Sequence, residues 1–419
     1  MKDRVILHCD MNGFFASVEL LARPDLRDKP MAVCGNPENR HGIILAKNEA
    51  AKRYGIVTAE TIWQARKKCP DLVLLPPHYE KYSEFCRLIN GIYLQYTDLV
   101  EPFSIDESWL DVTASQKLFG TGREIADAIR ERVKKEFGLT LSAGVSFNKF
   151  FAKMGSEYKK PDATTEITRE NFRELLWPLP IEEMFFVGFA TAQRLRGIGV
   201  NTIGALAATP PEVLSGLLGK QGPVLRDYAL GLDESPVSGY GERSMMKSLG
   251  HGSTFRRDIS SDDEILTALT GLSDTVAARL RKYGLKAFGV KVDLRTPDFR
   301  DTSRQKRFDT PTNISTDIRE RALAIIREMR RDPSPIRQIT VTAIDLTDKA
   351  GEASEQLSFF GGLSGSEPGS SADPSSGASS TDPGKTLELE EAMDEIRKKF
   401  GKSSISFARV IDNDIGIDY

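Results

Sequence analysis

Apolar and polar positions follow two different periods along the first part of the chain. Residues 4–9 form a short apolar run typical of a buried strand, and positions 14, 18, 21 and 22 repeat at helical spacing. The same patterns predict strands at 31–34, 42–46, 100–104, 108–112 and 141–146, and helices at 13–22, 49–54, 79–97 and 123–137. With residues 13–75 taken as an insertion, the order is strand, helix, two strands, helix, strand, which is the ferredoxin-like arrangement.

The same order of elements recurs between residues 248 and 346. Strands are predicted at 248–255, 288–295, 299–309 and 337–346, and helices at 261–283 and 315–331. In one of these strands Phe288, Val290, Val292 and Leu294 alternate with more polar residues, so one face is buried. The pattern therefore indicates an α+β protein of several domains, with two βαββαβ units.

The remaining segments connect or follow these two units. Residues 172–232 are helical and punctuated by glycine, which fits either hairpins that offer N–H groups to phosphates or an ordinary helical bundle. Residues 361–385 are rich in Ser, Gly and Pro and predict a flexible linker. Residues 387–400 predict a terminal amphipathic helix, which either folds back on the second unit or forms an additional contact.

Length and cysteine content exclude several classes of protein. A chain of 419 residues exceeds one ordinary core, so we expect at least three domains. No apolar run approaches the ~20 residues of a membrane-spanning helix, and His8 and Asp10 interrupt the N-terminal apolar stretch, unlike a signal peptide. The four cysteines are widely spaced without a CxxC pair, so we expect reduced thiols and a cytoplasmic protein.

The net charge of −3 hides an uneven distribution along the chain. Residues 347–419 carry 7 basic and 14 acidic side chains, whereas residues 243–340 carry 20 basic and 13 acidic ones. A basic segment masked by an acidic tail is typical of proteins that contact phosphate backbones, although a solvated face has the same composition.

Three carboxylates are predicted to meet at one edge of the first sheet. Asp10 ends the first strand, and Asp106 and Glu107 occupy the turn before a later one. The first and third strands of a ferredoxin-like sheet are central neighbours, so these side chains can come together. Crowded carboxylates favour a bound cation, and oxygen ligands without a nearby His or Cys suit Mg²⁺. Taken alone, three acids also fit a solvated turn.

The segments around these acids resemble the two signature motifs of the Y-family, or translesion, DNA polymerases. The matching segments are residues 10–16 (DMNGFFA), 104–111 (SIDESWLD), 144–153 (GVSFNKFFAK), 160–161 (KP) and 247–257. The similarity runs from residue 4 to about 346 and is greatest to the bacterial polymerase IV type. It implies a palm of 1–11 and 76–165, fingers of 12–75, a thumb of 166–238, a little finger of 239–346 and a tail of 347–419.

The resemblance also implies the role of each acidic residue. Asp10, Asp106 and Glu107 are then the catalytic carboxylates that hold two Mg²⁺ ions, and the carbonyl oxygen of Met11 is a further ligand. Two such ions can activate an attacking oxygen and stabilise a leaving phosphate in line.

Four further residues are then expected to bind the nucleotide: Phe14, Phe15, Lys52 and Lys160. Phe15 falls at the steric-gate position, whereas Phe14 shares a helical face with Val18 and is interpreted as core. Lys160 matches a lysine that contacts the triphosphate. Many members carry Tyr and Arg, three residues apart, on a fingers helix; here Glu49 and Lys52 stand at those positions. Glu49 cannot bind phosphate, and Lys52 lacks the bidentate fork of Arg, although Lys47 can supply charge.

DNA and a sliding clamp are the expected macromolecular partners. Basic residues of the second unit are candidates for DNA contact, and these are Arg300, Arg304, Lys306 and Arg307. A pentapeptide that follows this unit resembles the bacterial sliding-clamp-binding motif, and it consists of Gln356, Leu357, Ser358, Phe359 and Phe360. In most relatives this motif lies close to the C-terminus, whereas here 59 residues follow it.

Together these features predict a monomeric DNA polymerase that adds deoxynucleotides from their triphosphates to a primer opposite damaged template bases. Low fidelity is expected, because no segment is left over for a proofreading exonuclease. A nucleotide cyclase uses the same sheet and carboxylates, but the basic second unit argues against it. A catalytically impaired accessory protein that binds DNA and the clamp remains open, because Glu49 departs from the motif.

Overall fold

The computed structural model describes residues 3–36, 42–242, 246–330, 334–348 and 383–417. The chain divides into two compact units, Met1–Glu242 and Arg243–Tyr419. Within the described residues, no helix is long and apolar enough to cross a membrane.

The first part of the first unit alternates strands and helices. Its elements are β1 (Ile6–Met11), α1 (Phe14–Ala22), β2 (Met31–Cys34), β3 (Ile44–Lys47), α2 (Glu49–Lys52), α3 (Ile62–Lys68), β4 (Val73–Leu75), α4 (Tyr79–Tyr93), β5 (Val100–Pro102), β6 (Glu107–Asp111), α5 (Gln116–Phe119), α6 (Gly122–Phe137), β7 (Leu141–Ser146), α7 (Lys149–Tyr158) and β8 (Thr164–Ile167).

A five-stranded sheet in the order β5-β6-β1-β7-β8 carries the first unit. Strand β1 pairs antiparallel with both β6 and β7, so the predicted ferredoxin-like neighbours are confirmed. Strand β8 adds a parallel neighbour to β7 that the sequence pattern did not reveal. Alternate residues of β1 face opposite sides of the sheet: Leu7 and Cys9 join the core with α4 and α6, whereas α7 packs against the face of His8 and Asp10.

Two smaller assemblies complete the first unit. A three-stranded sheet in the order β3-β2-β4 lies within residues 31–75, and strand β4 and helix α3 were not predicted. The helical segment consists of α8 (Phe172–Leu176), α9 (Phe189–Arg196), α10 (Ile203–Ala208), α11 (Pro211–Leu218) and α12 (Gln221–Ala229). Its helices pack around one apolar cluster that includes Ala192, Leu195 and Leu206.

The second unit repeats the arrangement of two helices on one sheet. Its elements are β9 (Ser248–Ile259), α13 (Asp262–Lys282), β10 (Leu285–Arg295), β11 (Asp301–Thr312), α14 (Ser315–Met329) and β12 (Ile336–Asp348). The antiparallel sheet has the order β11-β10-β12-β9, and Val290, Val292 and Leu294 of β10 face the helices in one core. The predicted second βαββαβ unit is therefore confirmed, with strands longer than expected.

The end of the chain belongs to this second unit. Helix α15 (Pro383–Phe400) packs against α13, and Val410, Ile415 and Ile417 enter the same core as the sheet. Of the two possibilities left open by the sequence, folding back on the second unit is the one observed. The helix begins at Pro383, inside the segment 361–385 that was predicted to be linker.

Candidate active site

The edge of the first sheet brings two of the predicted carboxylates into register. Asp10 on β1 lies opposite Glu107 on β6 and Ser142 on β7. Asp106 directly precedes β6, and its carbonyl oxygen accepts a 3.1 Å hydrogen bond from the backbone N–H of Met11. The pairing of β1 with β6 therefore determines that Asp10 shares one edge with Asp106 and Glu107, which lie 96 and 97 residues further along the chain.

All three predicted carboxylates line one open cavity of about 610 Å³. The side chain of Asp106 accepts a 2.6 Å hydrogen bond from the hydroxyl of Ser104. The carboxylates of Asp10 and Glu107 form a closer group with His8, in which one ligand atom of each lies within 4.8 Å of the others. Asp106 thus belongs to the same cavity but not to this closest group.

Burial and neighbouring charges shift the pKa values of these acids in opposite directions. Burial raises the pKa of Asp10 to about 7, although Lys160 and Lys153 oppose it. Burial also raises the pKa of Asp106, against the hydrogen bond from Ser104. For Glu107 burial acts in the same direction, but His8 and Lys153 outweigh it and lower the pKa to about 2. The cavity therefore combines one ionised carboxylate, Glu107, with two carboxylates, Asp10 and Asp106, whose ionisation costs free energy because they are buried.

Two lysines provide positive charge beside these acids. The ammonium of Lys160 lies 2.9 Å from Asp10 Oδ1 and 2.9 Å from Glu157 Oε1. Lys153, on the buried face of α7, contacts Asp10 Oδ2 at 3.1 Å and Glu107 Oε2 at 2.9 Å. The predicted triphosphate contact Lys160 thus lies in the cavity. Lys153, the last residue of the matching segment 144–153, is buried.

His8 is a member of the site that the sequence did not single out. The expectation of carboxylate ligands without a nearby histidine was wrong, because His8 and Asp10 are two residues apart on one strand and face the same side. Its Nδ1 lies 2.8 Å from Ser156 Oγ, its Nε2 lies 3.3 Å from Glu107 Oε2, and burial lowers its pKa to about 4. Strand alternation read from Asp10 was the signal that could have identified it.

The two adjacent phenylalanines occupy different environments at the start of α1. Phe14 is buried and packs with Val18 in the main core of the unit, and it also lines the cavity. Phe15 is partly exposed in the cavity, stacks on the ring of Tyr82 with centroids 4.1 Å apart, and meets Tyr79 edge-on at 6.0 Å. The hydroxyl of Tyr82 donates a 2.5 Å hydrogen bond to Glu19, so the stacking partner of Phe15 is itself held in place.

Helix α2 and the strand before it contribute charged side chains to the same cavity. Lys47, Glu49 and Lys52 all line it. Glu49 and Lys52 form an exposed ion pair one helical turn apart, and Lys47 donates a 3.0 Å hydrogen bond to Thr58. Glu49 and Lys52, which stand where many family members carry Tyr and Arg, therefore contact each other.

The basic residues predicted to bind DNA do not share one face of the second sheet. Arg304 and Lys306 lie opposite Val292 and Val290, so they point toward the helix-covered side, and Lys306 pairs with Glu328 on α14. Arg307 lies opposite Gly289, on the other face, and Arg300 precedes the strand with its side chain 85% exposed. Arg304 and Lys306 therefore lie on a different side of the sheet from Arg307, and contact of these residues with DNA stays a prediction.

The open face of this sheet carries a different set of side chains. Cross-strand pairing places Lys291 and Thr342 on the side of Arg307, away from the core residue Val290. Gly250 and Gly252 of β9 pair with Thr342 and Thr340 on that face. A Cβ added at Gly252 would lie 2.2 Å from Thr340 Oγ1, so glycine permits close packing of these strands there. The predicted clamp motif, residues 356–360, lies outside the described residues.

Comparison with known proteins assigns the chain to a family. The model of the impB/mucB/samB family matches residues 9–157, and the model of the C-terminal domain of that family matches residues 246–359. The chain therefore belongs to this family, that of the Y-family DNA polymerases, as its motifs predicted.

Named relatives and a solved structure agree with this assignment. The chain is 41% identical to DNA polymerase IV of Acetivibrio thermocellus over 405 residues, which are 96% of each chain. It is 36% identical to DNA polymerase IV 1 of Bacillus subtilis, over 96% of this chain and 92% of that protein. A Y-family DNA polymerase chimera of Dbh and Dpo4 has a similar fold, with a TM-score of 0.72 at 22% identity over 82% of this chain and 99% of that one.

Proposed function

We propose that this chain is a template-directed DNA polymerase that extends a primer with deoxynucleotides, including opposite damaged template bases. The observation that carries the proposal is one cavity lined by Asp10, Asp106 and Glu107 together with Phe15 and Lys160. Acids, a basic residue and an aromatic ring in one cavity suit a nucleoside triphosphate. The relatives that match almost the whole chain are DNA polymerase IV proteins.

The acidic edge fits divalent cations. Burial raises the pKa of both Asp10 and Asp106, so their negative charges gain from a neighbouring cation. Oxygen donors suit Mg²⁺, and the proposed ligands of two such ions are Asp10, Asp106, Glu107 and the carbonyl oxygen of Met11. Bound there, Mg²⁺ would supply positive charge to the attacking 3′-hydroxyl and to the leaving pyrophosphate.

The other cavity residues bind and select the nucleotide in this proposal. Lys160, with Lys52 and Lys47 across the cavity, provides ammonium groups for the triphosphate oxygens. The ring of Phe15 lies beside the acidic edge, where it excludes a sugar that carries a 2′-hydroxyl. Phe14, which is buried, supports this ring rather than touching the sugar.

The second unit binds primer–template DNA through the open face of its sheet in this proposal. Lys291 and Arg307 lie on this face among small and hydroxyl-bearing side chains, which allows close approach to phosphates. Arg300, which is exposed just before β11, adds a further positive charge for contact with DNA phosphates in this proposal.

We also propose that synthesis is of low fidelity and proceeds without proofreading. Within the described ranges, His8, Asp10 and Glu107 form the one group of His, Cys, Asp or Glu side chains close enough to hold a metal ion. The proposal assigns this metal-dependent centre to nucleotide addition. The protein acts as a monomer that a sliding clamp recruits.

The clamp contact is proposed for residues 356–360, on the basis of their sequence. Replacing Leu357 and Phe359 with Ala should remove clamp-dependent stimulation of synthesis, because apolar anchors usually carry most of the binding energy. Basal extension without the clamp should stay unchanged. If stimulation survives the double change, residues 383–417 become the better candidate for the contact.

Primer extension with Mg²⁺ and all four deoxynucleoside triphosphates tests the central proposal. Asp106→Ala and Glu107→Ala should each abolish incorporation and leave primer–template affinity largely intact. Glu166→Ala, an exposed acid on β8 of the same sheet, is the matched control and should remain active. Loss of DNA binding together with activity would mean that Asp106 and Glu107 are structural.

The same assay separates the alternatives. A nucleotide cyclase would release a cyclic product without using a primer. An accessory protein would bind primer–template DNA and leave the primer unextended. The Glu49–Lys52 pair in the cavity is the observation that favours this second candidate function.

A further inference from the structure

Lys153 occupies an unusual position beneath the acidic edge. It lies on the face of α7 that packs against β1, and the residue is 6% exposed. Its ammonium lies 3.1 Å from Asp10 Oδ2, 2.9 Å from Glu107 Oε2 and 2.9 Å from Glu157 Oε1. Among the described residues, it is the lysine or arginine that touches carboxylates of both β1 and β6. A buried ammonium is costly unless several acceptors surround it, and here three do.

Neighbouring charges keep Lys153 ionised. Burial opposes its charge, but Asp10 and Glu157 outweigh this effect and hold its pKa above the usual range. Glu157 lies on the same helix, one turn further on, and its Oε1 contacts the ammonium groups of both Lys153 and Lys160 at 2.9 Å. Glu157 therefore provides a carboxylate that retains both lysines beside the cavity without belonging to the acidic edge.

The contacts of Lys153 differ from those of the other charged group in the network. Lys160 contacts Asp10 and Glu157 but not Glu107, and it is about one-third exposed. His8 contacts Glu107, with 3.3 Å between its Nε2 and Glu107 Oε2, which is longer than the 2.9 Å contact of Lys153. Lys153 is thus the charged group that links the two strands across the edge.

We propose that Lys153 is a positioning residue of the catalytic edge, whose ammonium ties Asp10 to Glu107 and holds the two carboxylates together when no divalent cation is bound. Glu157 keeps this ammonium in reach and accepts it when the carboxylates take up divalent cations. The inference rests on the proposed function, in which Asp10 and Glu107 are ligands of such cations.

A direct consequence is that the stability of the first unit should depend on metal when Lys153 is removed. Without the ammonium, Asp10 and Glu107 lose their shared counter-charge in a poorly hydrated edge. They then repel each other, or one of them takes up a proton at a cost in free energy, and either outcome destabilises the pairing of β1 with β6. A divalent cation bound by the two carboxylates restores the missing charge. In the wild-type chain the same addition has a smaller effect, because the ammonium is already present.

Thermal unfolding of the full chain tests this inference. Tryptophan fluorescence reports the relevant unit, because Trp63, Trp109 and Trp177 all lie within Met1–Glu242. Wild type and Lys153→Met are compared in EDTA and in MgCl₂, without DNA or nucleotide. In EDTA the Tm of Lys153→Met should fall by about 5 °C or more, and MgCl₂ should recover most of that decrease.

Lys149→Met is the matched control. Lys149 lies one turn earlier on α7, is similarly buried, and pairs with Glu101 at 2.6 Å outside the cavity. Its removal should lower the Tm as well, but MgCl₂ should recover no more than it adds to wild type. The inference is overturned if Lys153→Met unfolds in EDTA at the wild-type temperature, or if MgCl₂ stabilises it no more than Lys149→Met.

A double variant keeps the test informative if Lys153→Met folds poorly. Adding Glu107→Gln removes one of the two repelling charges, so the double variant should be more stable in EDTA than Lys153→Met alone and should respond less to MgCl₂. A double variant that is no more stable than the single one contradicts the inference. Primer extension by the wild-type chain tests the proposed function separately, because its failure leaves these stability measurements unaffected.

Discussion

At the scale of single residues, the cavity brings together the groups that we propose hold cations and the ring that we propose selects the nucleotide. Asp10 and Glu107 meet because two strands pair, whereas Phe15 enters the cavity at the first turn of α1. The stacking of Phe15 on Tyr82, whose hydroxyl is bonded to Glu19, restricts where its ring can move. A ring held in this way can discriminate by shape.

Replacing Phe15 with Ala should increase ribonucleotide incorporation relative to deoxynucleotide incorporation by orders of magnitude. As the proposed steric gate, the ring would leave no room for a 2′-hydroxyl and would offer it no hydrogen-bond partner, and each factor of ten corresponds to ~1.4 kcal/mol. Deoxynucleotide addition should fall modestly, because the ring is not a catalytic group. The measurement is kcat/KM for both sugars.

Phe14→Ala is the control for this prediction. Phe14 lies in the main core, so its replacement should cost roughly 3–5 kcal/mol of stability without altering sugar choice. If Phe14→Ala relaxed sugar selection and Phe15→Ala left it intact, the steric gate would be assigned one residue out of register.

Replacing Glu49 with Gln should lower the KM for deoxynucleoside triphosphates by about two- to fivefold, with kcat nearly unchanged. Glu49 places a negative charge in the proposed triphosphate cavity and engages Lys52, and an exposed charge of this kind is worth about 0.5–1 kcal/mol. Steady-state kinetics with one nucleotide varied gives both constants.

Glu60→Gln provides a comparison within the same region. Its carboxylate accepts a hydrogen bond from the backbone of Val57 and pairs with Lys68, and it does not line the cavity. Its replacement should leave the KM for nucleotide unchanged. An equal KM for wild type and Glu49→Gln would show that Glu49 does not oppose triphosphate binding.

At the scale of elements, helix α15 is attached to the second unit by a buried carboxylate. Glu390 pairs with Arg281 on α13, and both side chains are almost fully buried. Its carboxylate also accepts hydrogen bonds from the backbone N–H of Ser315, at 3.0 Å, and from its hydroxyl, at 2.6 Å. The carboxylate of Glu390 thus accepts hydrogen bonds at the N-terminus of α14 and pairs with the positive charge of Arg281 on α13.

Replacing Glu390 with Ala should destabilise the second unit by about 3–5 kcal/mol, because it leaves the guanidinium of Arg281 buried without one of its acids. Hydrogen exchange measured on peptides of α13 and α14 reports the effect, since this unit contains no tryptophan. Glu391→Ala, at the exposed neighbouring position, should change stability by less than about 0.5 kcal/mol. Equal exchange in the two variants would mean that the tail is not tightly docked.

At the scale of the whole molecule, the uneven charge along the chain corresponds to particular surfaces. The second unit contains both the basic segment and the described part of the acidic tail. Because Glu390 and Asp394 are paired with Arg281, some of the tail charge is neutralised inside the unit and would not oppose DNA at the open face of the sheet, where we propose that it binds.

The salt dependence of DNA affinity should identify the face that contacts phosphates. Lys291→Ala combined with Arg307→Ala should lower the slope of log Kd against log salt by up to ~0.9 for each phosphate that the variant no longer neutralises. Arg304→Ala combined with Lys306→Ala should lower it less, because these side chains lie on the helix side and Lys306 is paired with Glu328. A larger change for the second pair would place the DNA on the edge of β11 beside α14.

Much of the fold could be predicted from the sequence, because periodicity reports local burial. The order of strands and helices in both βαββαβ units was predicted, although β4, α3 and β8 were not. Residues 73–75 and 164–167 are too short for a period to be detected. The boundaries of longer strands such as β11 were also misplaced, because edge strands lack the apolar alternation of central ones.

The sequence by itself determined the family, the order of the elements and the identity of Asp10, Asp106, Glu107 and Phe15 as candidates, since motifs and periods are local properties of the chain. Tertiary structure alone decided that Lys153 joins the acidic edge, that Arg304 and Lys306 face the helix side, and that the tail docks through Glu390. These facts depend on which strands pair and which faces the helices cover. Contacts between residues far apart in sequence leave no periodic signal in the chain.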